Sequence, residues 1–202
     1  MRSYILIGAS GFIGSAIRRS LDFNKNGINF INIDKVAPSI VQRNPDTWHI
    51  FDINDDKKRK NFFQQLNLCV NKSSIRGIIN AGGFYNFTNE PDDRYENYNS
   101  GISKFLTEAD KNLSSKIPLV NLSTILTIQP SNLPIVNTKK TRPEYSVYTA
   151  RTKYIQSYFS NPNKYILQYA YYKANLENII GFCTIRPSIN LYLGGVYSDN
   201  CE

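Results

Sequence analysis

The apolar and polar positions alternate between two periods along the chain. Tyr4-Ile-Leu-Ile7 is a continuous apolar run, as in a strand buried on both faces. It runs into Gly8-Ala-Ser-Gly11-Phe-Ile-Gly14, and helical spacing through Ile13, Ile17 and Leu21 follows. Ile28 to Ile33 alternates as a strand and ends at Asp34, and Trp48 to Phe51 is a short strand leading into Asp52-Ile53. Asp55 to Val70 reads as a helix with Phe62, Phe63, Leu66 and Val70 on its buried side. A strand over Ile75–Ile79 ends in Asn80-Ala81-Gly82-Gly83, and a long helix spans Asp92–Leu113. A fifth strand, Pro118–Leu122, closes at Ser123-Thr124.

Residues 129–144 read as a long loop with three prolines, and a helix is expected over 149–159. Lys164 to Ile180 has one apolar face and should stop at Gly181. Phe182–Ile185 is the expected sixth strand, stopped by Arg186-Pro187. This alternation predicts an α/β fold with a doubly wound parallel sheet, in one domain over residues 1–202.

Composition adds limits. A hydrophobic fraction of 41% is ordinary for a globular chain. No run approaches the ~20 apolar residues of a membrane span, and the early first strand leaves no room for a signal peptide. The expected setting is the cytoplasm, with Cys69, Cys183 and Cys201 as reduced thiols. His49 is the single histidine, so neither a zinc site nor a Ser-His-Asp triad is expected. The net charge of +8 is compatible with an acidic partner. The one dense basic run, Lys57-Lys-Arg-Lys60, reads as a solvated helix face, and nucleic acid is not expected as a partner.

The chemistry begins at the glycine turn. Gly8 allows the tight turn, Gly11 lets backbone approach a ligand, and Gly14 lets the helix pack near the strand. The helix start over Ser10, Gly11, Phe12 and Ile13 offers N–H groups to a pyrophosphate. Asp34 follows Gly14 by twenty residues, the place of the acid that accepts ribose hydroxyls and repels a 2′-phosphate. That favours NAD, while Lys35 beside it weakens the preference over NADP.

Taken together, these residues resemble the extended short-chain dehydrogenase/reductases, the NAD-dependent epimerase/dehydratase family, over nearly the whole chain. The resemblance implies a Rossmann fold and places Asp52-Ile53 beside the adenine. It puts Asn80-Ala81-Gly82 under the cofactor, Asn99 on a cofactor-facing helix, and Thr124 on a substrate hydroxyl. Arg186-Pro187 with Tyr192 resembles the segment after the sixth strand. It implies NAD as cofactor, a nucleotide-linked sugar as substrate, a homodimer, and a base made from tyrosine and lysine four apart. Bringing a tyrosine pKa from ~10 to ~7 takes about 4 kcal/mol, supplied by the lysine charge and the oxidised nicotinamide. The alternative is an NAD(P)-binding or sensing module without turnover, or a piece of a longer epimerase.

Two places compete for the dyad. Tyr148 and Lys153 are five residues apart, which separates them by roughly 140° on a helix. Tyr169 and Lys173 have the four-residue spacing and are preferred; with Glu177 four further on they resemble the family's Tyr-x-x-x-Lys-x-x-x-Glu helix. Family members continue past the Arg-Pro segment into a substrate-binding subdomain, which is expected to be largely absent from this chain.

Overall fold

The computed structural model describes residues 2–21, 27–37, 46–69, 74–83, 92–124 and 164–193. The elements are β1 (Arg2–Ile7), α1 (Phe12–Ser20), β2 (Ile28–Asp34), β3 (Thr47–Ile50), α2 (Asp56–Cys69), β4 (Ile75–Asn80), α3 (Asp93–Asn112), β5 (Leu119–Thr124), α4 (Lys164–Cys183) and β6 (Ser188–Leu193). Among the described residues six strands form one sheet in the order β3-β2-β1-β4-β5-β6, and each of their pairings is parallel. The direction of winding reverses between β1 and β4, and it is beside such a switch point, outside the C-terminal strand ends, that doubly wound sheets bind ligands.

The two faces of β1 explain its continuous apolar run. Ile5 and Ile7 point into the larger core, with Ile31, Ile33 and Ile78 from neighbouring strands. Phe62, Phe63 and Leu66 of α2, Ile102, Phe105 and Leu106 of α3, and Leu176 and Ile180 of α4 cover that face. Phe62, Phe63 and Phe105 meet with ring centroids 5.0–6.0 Å apart. Tyr4 and Leu6 face the other way, with Phe30, Trp48 and Ile17 of α1. Burial of both faces is what requires apolar residues at consecutive positions.

The end of the chain departs from the sequence expectation. Residues Phe182–Ile185 are not the sixth strand: α4 continues through Gly181 to Cys183, and the strand is Ser188–Leu193. Phe182 and Ile185 are 86% and 81% exposed, so this apolar run does not enter the sheet. Arg186 turns the chain instead. Its guanidinium is buried, ion-pairs with Asp110 at 2.6 Å and donates to Ile117 O at 3.1 Å. Pro187 has no N–H to contribute, and its carbonyl accepts from Leu119 N just before the ladder begins. The expected 129–144 loop and 149–159 helix lie outside the described residues.

The basic run at Lys57 is not wholly the solvated face expected from sequence. Lys57, Lys58 and Lys60 are exposed, but Arg59 is buried. It donates to Ile53 O at 2.8 Å and Asp56 at 2.6 Å, so it braces the turn after β3 rather than solvating α2.

Candidate functional site

A cleft of about 470 Å³ opens over the C-terminal ends of β1, β2 and β4. Gly8 turns with φ 79°, so its backbone lies directly against Gly82. Gly14 packs so tightly on the turn that an added Cβ would stand 2.1 Å from Gly8 O. Gly11 differs: among the described residues an added Cβ would meet only Gly8 O, at 3.3 Å, so no described side chain covers its outer side. Helix α1 then starts with Gly11 as N-cap and no side-chain cap bond. Among the described residues no group accepts the first-turn N–H groups of Phe12, Ile13 and Gly14, which suits them to an external acceptor.

Asp34 ends β2 beside this turn. One carboxylate oxygen accepts Ser10 N–H at 2.9 Å and the other accepts Val36 N–H at 3.3 Å. Ser10 Oγ donates to Val36 O at 2.7 Å, closing a small ring of bonds around the acid. Lys35 also lines the cleft. At the far wall, Asp52 is exposed and Ile53 buried, both lining the same space as the glycine turn. Asp52 Oδ1 accepts Asn54 N–H at 2.9 Å, which fixes that corner.

The floor is Ala81-Gly82-Gly83. Asn80 is wholly buried behind it and holds three groups: Tyr98 Oη donates to its Oδ1 at 2.5 Å, Gly82 N–H donates to the same oxygen at 3.3 Å, and its Nδ2 donates to Asn121 at 2.8 Å. Asn121 donates in turn to Asn190 at 2.9 Å. This asparagine ladder crosses β4, β5 and β6 in register.

Helix α3 presents Tyr98, not Asn99, to the cleft. One residue turns a helix by about 100°, and Asn99 instead donates to Tyr172 O of α4 at 3.0 Å. Burial raises the Tyr98 pKa strongly, with the Asp34 charge adding to it, so Tyr98 stays a protonated donor and not a base. Arg94 and Asn97 on the same helix also line the cleft. The Arg94 guanidinium is held on Asp92 by bonds of 2.6 and 2.8 Å, which keeps it charged at the rim. Tyr98, Arg94 and Asn97 were not singled out from sequence. The helical period locates them once the cleft-facing side of α3 is known.

Beyond Gly83 lies the Tyr169–Lys173 turn of α4. Lys173 Nζ donates to Leu122 O at 3.1 Å and lies 5.9 Å from the Tyr169 ring centre. An added Cβ on Gly83 would stand 3.3 Å from the same Nζ. Enclosure of the ammonium lowers the Lys173 pKa to about 8, opposed by the Glu177 charge. Thr124 is buried at the end of β5, two residues past Leu122. Tyr148 and Lys153 lie outside the described residues. His49 packs edge-on against Phe62, away from the cleft lining, and burial lowers its pKa. Among the described residues no His/Cys/Asp/Glu group could hold a metal, and no helix is long and apolar enough to cross a membrane.

No protein-family profile matches the chain, and no curated protein matches it in sequence. Solved structures do match in fold. WbmH of Bordetella bronchiseptica, in complex with NAD+, superposes with TM-score 0.62 at 20% identity, over 96% of this chain and 56% of that one. A short-chain dehydrogenase/reductase superfamily protein of Agrobacterium tumefaciens with bound NAD gives 0.61 at 14% identity, over 95% and 48%. UDP-glucose 4-epimerase of Thermus thermophilus, complexed with NAD, gives 0.59 at 15% identity, over 94% and 54%. The chain therefore has the Rossmann-like fold of these NAD-bound proteins and spans about half the length of each.

Proposed function

We propose that this chain binds NAD in the cleft and belongs to an NAD-dependent oxidoreductase of the epimerase/dehydratase type, acting on a nucleotide-linked sugar. The observation that carries the reading is the open turn at Gly11 beside Asp34. An uncapped helix start and the Asp34 carboxylate face one cleft, at the switch point of the sheet. Phe12, Ile13 and Gly14 N–H groups would hold the pyrophosphate, with Ser10 and Gly11 leaving room for it. Asp34 would accept the adenosine ribose hydroxyls, and Asp52 with the Ile53 backbone would meet the adenine. Ala81 and Gly82 give the flat floor, and Asn80 and Asn99 hold that floor and α4 from behind.

NAD supplies the hydride acceptor when bound. Tyr169 takes the proton from a sugar hydroxyl that Thr124 aligns. Lys173 would hold the nicotinamide ribose and favour the phenolate through its charge. One NAD-bound neighbour is a UDP-glucose 4-epimerase, which supports this substrate class. A homodimer remains part of the proposal on the family resemblance alone.

The test is reduction of NAD by a panel of nucleotide sugars, read as absorbance of the reduced nicotinamide. Turnover lost in Tyr169→Phe and kept in Tyr148→Phe supports the dyad; the reverse pattern overturns it. A second reading, NAD(P) binding without turnover, is favoured by one contact: Lys173 already gives a hydrogen bond to Leu122 O. NAD binding with no turnover on any sugar in the panel supports it.

A further inference from the structure

Behind Lys173 stands a buried acid for which the proposed reaction has no use. Glu177 lies one turn further along α4 and is 7% exposed. Its Oε1 accepts from Ser123 Oγ at 2.5 Å, and its Oε2 accepts from Tyr192 Oη at 2.9 Å. Ser123 and Tyr192 are register partners on β5 and β6. One carboxylate therefore ties the helix to a single rung of two strands. The rung is specific in place: Ser123 stands between Leu122, whose carbonyl takes the Lys173 ammonium, and Thr124.

A buried carboxylate is costly unless its oxygens are bonded and a counter-charge is near. The two hydroxyls meet the first need, and Lys173 on the same helix face meets the second. We propose that Glu177 is a positioning residue for Lys173: it locks α4 onto the Ser123–Tyr192 rung and sets a carboxylate one helical turn from the enclosed ammonium at the strand end. The proposal rests on the role given to Lys173 above.

The other groups around that lysine do not supply this charge. Its own helix adds the rings of Tyr169 and Tyr172, and α3 adds Tyr95 and Tyr98 around the small cavity beside it. Gly83 approaches with backbone from the end of β4, and β6 reaches the cluster through the Tyr192 hydroxyl. Among these described groups Glu177 alone is an acid. Enclosure pulls the lysine pKa down to about 8 and Glu177 opposes that pull.

The test is acylation of Lys173 in the full chain across pH, read by peptide mass spectrometry without dinucleotide. In Glu177→Gln, which keeps the shape and loses the charge, the midpoint should fall by about one pH unit or more, a tenfold loss of proton affinity. Glu177→Asp, with its charge drawn back, should fall between the two. A midpoint equal to wild type in Glu177→Gln overturns the proposal. Where Glu177→Gln does not fold, Glu177→Asp decides, and an unmoved midpoint there overturns it equally. Because no dinucleotide is present, this result is separable from a failure of the wild-type chain to bind NAD.

Discussion

A Cβ added to Gly8 would fall 2.4 Å from the Cα of Gly82. The first turn and the floor of the cleft are thus in backbone contact, with no side chain between them. Gly8 also has φ 79°, where an L side chain costs about 1–2 kcal/mol before any clash. Gly8→Ala should therefore lose at least about 2 kcal/mol of stability, roughly 4–8 °C in Tm for a chain of this size. Thermal melts of Gly8→Ala and Gly11→Ala check this, with Gly11→Ala close to wild type.

Asp34 is the residue whose removal should harm ligand binding more than folding. It accepts two backbone N–H groups at the turn, so Asp34→Ala costs some order there as well. Hydrogen bonds to a charged group contribute about 1.5–3 kcal/mol, so NAD affinity should fall about 10- to 100-fold. The loss for NADP should be smaller, because Lys35 lines the same cleft and the repelling carboxylate is gone. Calorimetric titration with both dinucleotides measures the pair.

Arg186 and Asp110 hold α4 and β6 in place at the opposite end of the sheet from the cleft. Their ion pair spans 2.6 Å, and the arginine side chain is fully enclosed. Removing one partner leaves a buried charge, which costs about 3–5 kcal/mol. Urea unfolding of Asp110→Ala should show that loss.

Lys173 gives stability a pH dependence of definite sign. Its pKa is lowered on folding to about 8 from an ordinary 10.5. The unfolded chain then binds more protons between those two values, so this group makes stability rise with pH across that window. Below about 8 the charged lysine opposes folding by a constant amount. Denaturant titrations of wild type and Lys173→Met from pH 7 to about 10.5 isolate it: wild type should gain on the variant as pH rises.

The sheet was legible because strands buried on both faces leave continuous apolar runs, as in Tyr4–Ile7. The glycine turn was legible because Gly8 and Gly14 answer to backbone contacts that admit nothing larger. The sixth strand was not. Phe182-Cys-Thr-Ile185 has strand-like composition, but nothing local reveals that Arg186 will be clamped by Asp110, 76 residues away. Arg59 was hidden in a basic run for a different reason: its carbonyl partner is only six residues back, but the path of the turn that presents it is not written in the charge pattern. On α3 the motif fixed the helix but not its rotation: Asn99 turned to Tyr172, and Tyr98 took the cleft.

The most direct measurement is calorimetric titration of the wild-type chain and Gly11→Val with NAD. Gly11 lines the cleft, so valine there fills ligand space, and among the described residues its one close neighbour is Gly8 O at 3.3 Å. Wild type should bind NAD, and Gly11→Val, with its fold retained by circular dichroism, should not. A folded wild-type chain that takes up no NAD would contradict the proposed cofactor site.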